Sequence, residues 1–210
     1  MNTPTKQKAS INKTLDHVLR AFNKTFANAG KGQILSFPDM HKLSEGLLLT
    51  VWTHWESFVR DLMIYDLATD SAGLLKSEIK KFRTKNACYR LAEKILDQPD
   101  SARFVEWNNY DTVRDRANVF LGSGHRFVAL GNLKNDLSKI KVVRNAIAHK
   151  SDRAWESFLK QINNTPFSLA PKQRKGITPG RFITSHNWYG DIYLRTTVDR
   201  IKKCVDKLVP

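Results

Sequence analysis

An all-α fold, an up-and-down helical bundle with additional short helices, is what the sequence predicts, and three observations predict it. Apolar residues recur at three- and four-residue spacing along most of the chain. Strand-like alternation is weak, with Arg181–Thr184 the one stretch that fits it. Gly- and Pro-containing breaks separate the periodic segments. The 210 residues suit one domain over 1–210 with a full core.

The elements follow in order. Ile11, Leu15, Val18, Leu19, Phe22 and Phe26 lie at helical spacing, with Ser10 as the expected cap and Gly30 and Gly32 beyond. From Asp39 to Leu67, Leu43, Leu47, Val51, Trp55, Phe58, Leu62 and Tyr65 surround much of a helix, which marks it as central and buried. Shorter helical patterns cover Leu74–Phe82, Ala87–Leu96 and Thr112–Leu121, and Gly122-Ser123-Gly124 breaks the chain. A long helix is expected from Phe127 to His149. A further one follows from a Ser151 or Asp152 cap, with Trp155, Phe158, Leu159 and Ile162. Residues 164–180, rich in Pro, Gly and basic side chains, read as an exposed loop. The last helix, about 191–208, carries Leu194, Val198, Ile201, Val205 and Leu208 as a packing seam.

Charge narrows the function. Lys and Arg number 35 against 20 Asp and Glu, a net +15, which adds self-repulsion unless an anionic partner offsets it. Nucleic acid fits better than a membrane, because no segment joins basic residues to a strongly apolar face. The polar N-terminus suggests no signal peptide, and the most apolar stretch, Gly46–Trp52, is far shorter than the ~20 residues of a membrane span. Cys88 and Cys204 lie far apart and read as thiols of a reducing cytoplasm. No metal-ligand spacing is evident and no cofactor is expected.

The chemically informative segment is Val142-Val143-Arg144-Asn145-Ala146-Ile147-Ala148-His149. Arg144 falls four residues after Ile140 and three before Ile147, on the apolar row. A guanidinium there needs a partner or a cleft, because it cannot shed its charge. Glu56, between Trp52 and Val59 on the central helix, is a misplaced charge of opposite sign and a candidate partner. His149 adds a group that transfers protons near neutral pH, beside a cation able to stabilise charge developing on phosphate. RNA brings its own nucleophile, the 2′-hydroxyl, so base, cation and positioning suffice. Residues five apart on an ideal helix point about 140° from each other. Arg144 and His149 therefore meet only if the helix ends or distorts near Ala148, or if a second subunit completes the site.

Arg144-Asn145-Ala146-Ile147-Ala148-His149 resembles the R-x4-6-H signature of the HEPN superfamily, in the form where Asn follows Arg. Trp55-Glu56-Ser57-Phe58-Val59-Arg60-Asp61-Leu62 resembles the helix that brings an acidic residue toward that signature in several HEPN families. The likeness covers roughly residues 40–208 in the order and type of elements and leaves the helix in 1–35 unassigned. It implies a helical bundle, usually a two-fold homodimer with a composite cleft. It also implies metal-independent ribonuclease activity in toxin–antitoxin, abortive-infection or CRISPR-linked defence, with an antitoxin or regulatory protein as a possible partner. On this reading His149 is base or acid, Arg144 stabilises the phosphorane charge, Asn145 positions phosphate and Glu56 orients Arg144. Some members have lost activity and only bind nucleic acid or protein; a helical DNA-binding or structural role is the other alternative.

A second match, Arg181–His186, is set aside because it follows Pro179-Gly180, lacks the Asn and lies on no amphipathic helical pattern. Lys141, Lys150 and Arg153 flank the first motif, and Lys172, Arg174 and Lys175 sit in the expected loop; all six are candidate contacts to RNA phosphates. Trp107 and Tyr110 are weaker candidates for stacking on a base. His17, His41, His54 and His125 have no convergent partners in sequence. The repeat of Trp-Glu-Ser-Phe at 55–58 and 155–158 extends to no fixed period and is read as coincidence.

Overall fold

The structure, a computed structural model, describes residues 2–69, 84–97, 107 and 109–210. The helix expected over Leu74–Phe82 lies outside them. Nine α-helices among the described residues bear out the all-α expectation: α1 (Pro4–Ala27), α2 (Phe37–Ala68), α3 (Lys85–Asp97), α4 (Tyr110–Leu121), α5 (Lys134–His149), α6 (Asp152–Asn163), α7 (Pro171–Arg174), α8 (Pro179–Ser185) and α9 (Tyr193–Leu208). A 3-10 helix, Arg126–Leu133, precedes α5. A two-residue hairpin, β1 (Asn187–Trp188) with β2 (Asp191–Ile192), precedes α9 and pairs antiparallel. No described helix is long and apolar enough to cross a membrane. Cys88 and Cys204 are both free thiols.

Backbone contacts group the chain into two compact units. The first comprises Met1–Ile11, Trp55–Lys134 and Cys204–Pro210; the second comprises Asn12–His54 and Asn135–Lys203.

The first unit buries Trp55, Phe58, Leu62, Met63 and Ile64 of α2, together with Leu96, Val113, Ala117, Phe127, Val205 and Leu208. Among the described residues, Asp66 brings a charge into this core. Asp66, 3 % exposed, takes two hydrogen bonds from the Arg126 guanidinium, at 2.8 and 2.9 Å. Arg126 also donates to the Leu208 carbonyl. Burial raises the Asp66 carboxyl above its ordinary value, and Arg126 opposes that rise. His125 is buried and bonded to Asn118.

The second unit builds its core on Leu15, Val18 and Phe22 of α1, Leu48, Val51 and Trp52 of α2, and Ile140 and Val143 of α5. Phe158, Phe182 and Tyr193 join them. Phe182 packs edge-on to Phe158 and Phe167 and 4.9 Å from the Tyr193 ring, which stacks on Trp188. The fully buried Tyr193 hydroxyl donates to the Lys139 carbonyl of α5, which also accepts from Gln161. Burial pushes that phenol well above its ordinary pKa. Asp136, in the first turn of α5, accepts from the Tyr189 hydroxyl and pairs with Arg200, whose guanidinium lies 3.6 Å from the Tyr189 ring centroid. These contacts hold the first half of α5.

Several boundaries differ from the sequence reading. Helix α1 begins at Pro4, so Ser10 lies inside the helix rather than at its N-cap; proline at a first helical turn gives up no needed N–H. The expected helix from Phe127 is divided, with a 3-10 stretch to Leu133. Gly131 and Asn132 are poor helix formers there, and a Cβ at Gly131 would come 3.3 Å from the Tyr110 hydroxyl. Residues 164–180 are not simply an exposed loop. Leu169, Ile177, Pro179 and Gly180 are buried and α7 lies within the segment, because its few apolar residues anchor it. Arg181–Thr184 is helical rather than extended: Thr178 accepts from the Arg181 N–H as N-cap and Pro179 occupies the first turn.

Candidate active site

The final turn of α5 carries the signature. Val143, Ala146 and Ile147 face the core of the second unit, which leaves Asn145, Ala148 and His149 on the outer side and Arg144 at the boundary. Arg144 and Asn145 are half-buried and His149 is exposed. The helix ends at His149, and Lys150 follows with φ of 46°, in the left-handed region. That reversal leads directly to Ser151, whose hydroxyl accepts from the Ala154 N–H and caps α6.

The side chains meet within one chain. Arg144 Nη1 donates to Asn145 Oδ1 at 3.1 Å and lies 3.2 Å from His149 Nε2. Because guanidinium only donates, Nε2 accepts, and the neutral imidazole carries its hydrogen on Nδ1. The long arginine side chain and the helix end together overcome the 140° separation expected of a regular helix. A second subunit is not needed to bring Arg144 to His149.

Other candidates are spread more widely. Glu56 is half-buried on α2, in the first unit. Lys141 is half-buried on α5, and Lys150 and Arg153 are exposed just beyond the motif. Lys172 and Lys175 are exposed, whereas Arg174 is half-buried and donates to Asn163 Oδ1 at 2.7 Å, which makes it partly a structural tie. Trp107 and Tyr110 engage cations of their own unit: Arg116 lies over Trp107, and Arg114 and Lys134 lie over Tyr110. Among the described residues no group of His, Cys, Asp and Glu side chains forms a metal-ligand cluster.

The second match, Arg181–His186, folds differently from the first. Arg181 is on a helix after all, but its Nη1 donates to the Lys175 carbonyl at 3.0 Å. His186 stacks on Phe182, 5.3 Å between centroids, with Nδ1 near Ser185 Oγ. The pair does not form the compact set seen at Arg144–His149. Sequence reasoning missed Glu45. It is a buried carboxylate that accepts from the Gly180 N–H at 3.0 Å and from Lys42 at 2.7 Å. Its signal was available: Glu45 lies three residues before Leu48 and seven before Trp52, an acid on an apolar row just as Glu56 is.

Compared with protein-family models, curated proteins and solved structures, the chain matches none.

Proposed function

We propose that the chain is a HEPN-type endoribonuclease that cleaves RNA without a metal cofactor. The observation that carries this reading is the convergence of Arg144, Asn145 and His149 at an exposed helix end, with both Arg144 contacts within 3.2 Å. The net charge of +15 supports an anionic substrate.

The proposed chemistry begins with competition for Arg144. An RNA phosphate draws the guanidinium away from His149 and frees the Nε2 lone pair. Nε2 then takes the proton of the 2′-hydroxyl, whose oxygen attacks the adjacent phosphorus. Arg144 offsets the charge on the phosphorane oxygens, and Asn145 holds a phosphate oxygen. The bond from phosphorus to the 5′-oxygen breaks and that oxygen gains a proton, leaving a 2′,3′-cyclic phosphate and a 5′-hydroxyl. In this scheme Lys141, Lys150, Arg153, Lys172, Arg174 and Lys175 guide the strand. The homodimer, an antitoxin or regulatory partner and a role in defence are proposals that come from the resemblance, and a cytoplasmic location is a proposal that comes from the reading of Cys88 and Cys204 as thiols.

The deciding experiment is RNA cleavage by wild type, His149→Ala and Arg144→Ala, with helical content measured alongside. Each substitution is expected to lower the rate ~10²–10⁴-fold, as loss of an acid–base or charge-stabilising group does. A 2′-deoxy substitution at the scissile position should block cutting, and EDTA should not. Full activity in folded His149→Ala, or activity lost with EDTA and restored by magnesium, refutes the proposal. Absence of any cleavage would favour a domain that only binds.

A further inference from the structure

We infer that the second unit contains a nucleobase pocket selective for guanine, on a different face of α5 from His149. A cavity of about 290 Å³ lies between the start of α2, the end of α5, the first turn of α6 and the start of α8. That is near the low end of small-molecule sites and suits one nucleoside. Its apolar wall includes Ala146, Ile147, Pro179 and the indole of Trp155, which is 38 % exposed although it packs on Phe158. A flat aromatic surface left partly open is a stacking platform for any base.

Glu45 supplies the selectivity. Its side chain is only 11 % exposed, yet it lines the cavity. One carboxylate oxygen accepts from the Gly180 N–H and the other from Lys42. Each oxygen has a second lone pair, so the carboxylate still offers two acceptor positions and no donor. Guanine is the base that presents two adjacent donors, the ring N1–H and the exocyclic amine, on its Watson–Crick edge. Adenine and cytosine set an acceptor nitrogen beside their amine, and uracil flanks one N–H with two carbonyls. Only guanine therefore faces a carboxylate without repulsion.

The position of Glu45 is set rather than adaptable. A Cβ on Gly180 would come 2.8 Å from its Oε1 and from the His41 carbonyl, so the carboxylate is held against α8. Lys42 and Lys150 at the rim supply cations for a phosphate attached to the bound nucleoside. An arginine or lysine side chain of a peptide would also satisfy Glu45. The chain's net charge of +15 favours an anionic nucleotide over such a partner.

The inference rests on the RNA reading for its biological meaning, but base binding is measured without cleavage, so the two fail separately. In equilibrium dialysis with the full chain, GMP should bind about tenfold or more tighter than AMP, CMP or UMP, the size of one bidentate base contact. Glu45→Gln keeps an acceptor for Gly180 but places a donor in the pocket, and should erase the preference. Trp155→Leu should weaken GMP about tenfold with helical content unchanged. Equal binding of the four nucleotides, a GMP preference that survives Glu45→Gln, or unchanged GMP affinity in Trp155→Leu overturns the inference. So does displacement of GMP by an arginine-containing dipeptide that binds tighter. If Glu45→Gln does not fold, the Trp155 variant decides. A chain that binds GMP as expected but cuts no RNA ends the ribonuclease reading and leaves the pocket standing. A chain that cuts RNA at every base alike and binds no GMP does the reverse.

Discussion

At the scale of single residues, three carboxylates sit where apolar groups would pack, and each has a defined partner. Asp66 has Arg126, Asp136 has Tyr189 and Arg200, and Glu45 has the Gly180 N–H. Gly180 shows how little room such arrangements leave. An added methyl would lie 2.8 Å from both Glu45 Oε1 and the His41 carbonyl, and the latter is backbone that cannot swing aside. Gly180→Ala is therefore expected to destabilise the fold by about 1–3 kcal/mol, the usual cost of overpacking. Chemical denaturation of the two proteins checks it, and an unchanged midpoint would mean that α8 shifts freely. The sequence shows these charges as acids on apolar rows but does not reveal that Asp66 meets Arg126, Asp136 meets Tyr189 and Arg200, and Glu45 meets Gly180, because those partners lie more than fifty residues along the chain.

At the scale of elements, the junction between α5 and α6 governs the candidate site. His149 ends one helix, Lys150 reverses the backbone and Ser151 begins the next. Ser151→Ala removes the acceptor for the Ala154 N–H and should cost about 1 kcal/mol, as lost N-caps do. The same change loosens the turn that holds His149, so cleavage should fall further than the stability loss alone explains. Stability and rate measured on one preparation separate the two effects; a rate that is unchanged shows that the cap does not position His149. Periodicity located α2, α6 and α9 to within a few residues, and it placed the end of α5 but not its start. It missed α8, although Thr178-Pro179 is a helix-start signal, because two β-branched residues in a four-residue stretch suggested a strand.

At the scale of the whole molecule, two titrations report on the fold and its charge. Burial lowers the pKa of His41, His125 and His186; the Arg181 cation adds to the effect at His41 and His186, and Glu45 opposes it at His41. Between their lowered values and the ordinary value near 6.5, the unfolded chain binds more protons than the folded one. Stability is thus fully present above that ordinary value and is lost as pH falls through the folded values. The melting temperature should drop on acidification from pH 7 toward about 5, and a flat profile would show that these imidazoles titrate normally. The second titration is with salt. If RNA is held through its phosphates, log affinity should fall linearly with log salt, by ~0.7 per phosphate neutralised. Charge reversal of Lys172 and Lys175, both exposed, should flatten that line. Salt-independent binding would remove nucleic acid from consideration.

By itself the sequence determined the helical class, the long helices and the strong positive charge, and it singled out Arg144, Asn145 and His149. These are local properties: periodicity, turn residues and net charge are readable without knowing which segments touch. Tertiary structure decided the rest. It brought Arg144 to His149 by ending α5 at the motif, whereas sequence spacing alone left a helix end or distortion and a second subunit both open. It turned a Pro- and Gly-rich stretch into an anchored segment, because Leu169 and Ile177 found apolar neighbours that no local pattern reveals. It also buried Glu45 beside Trp155 in one cavity, joining residues more than a hundred positions apart. Contacts of that separation depend on how helices pack, and packing is decided by the shape of every side chain in the core at once.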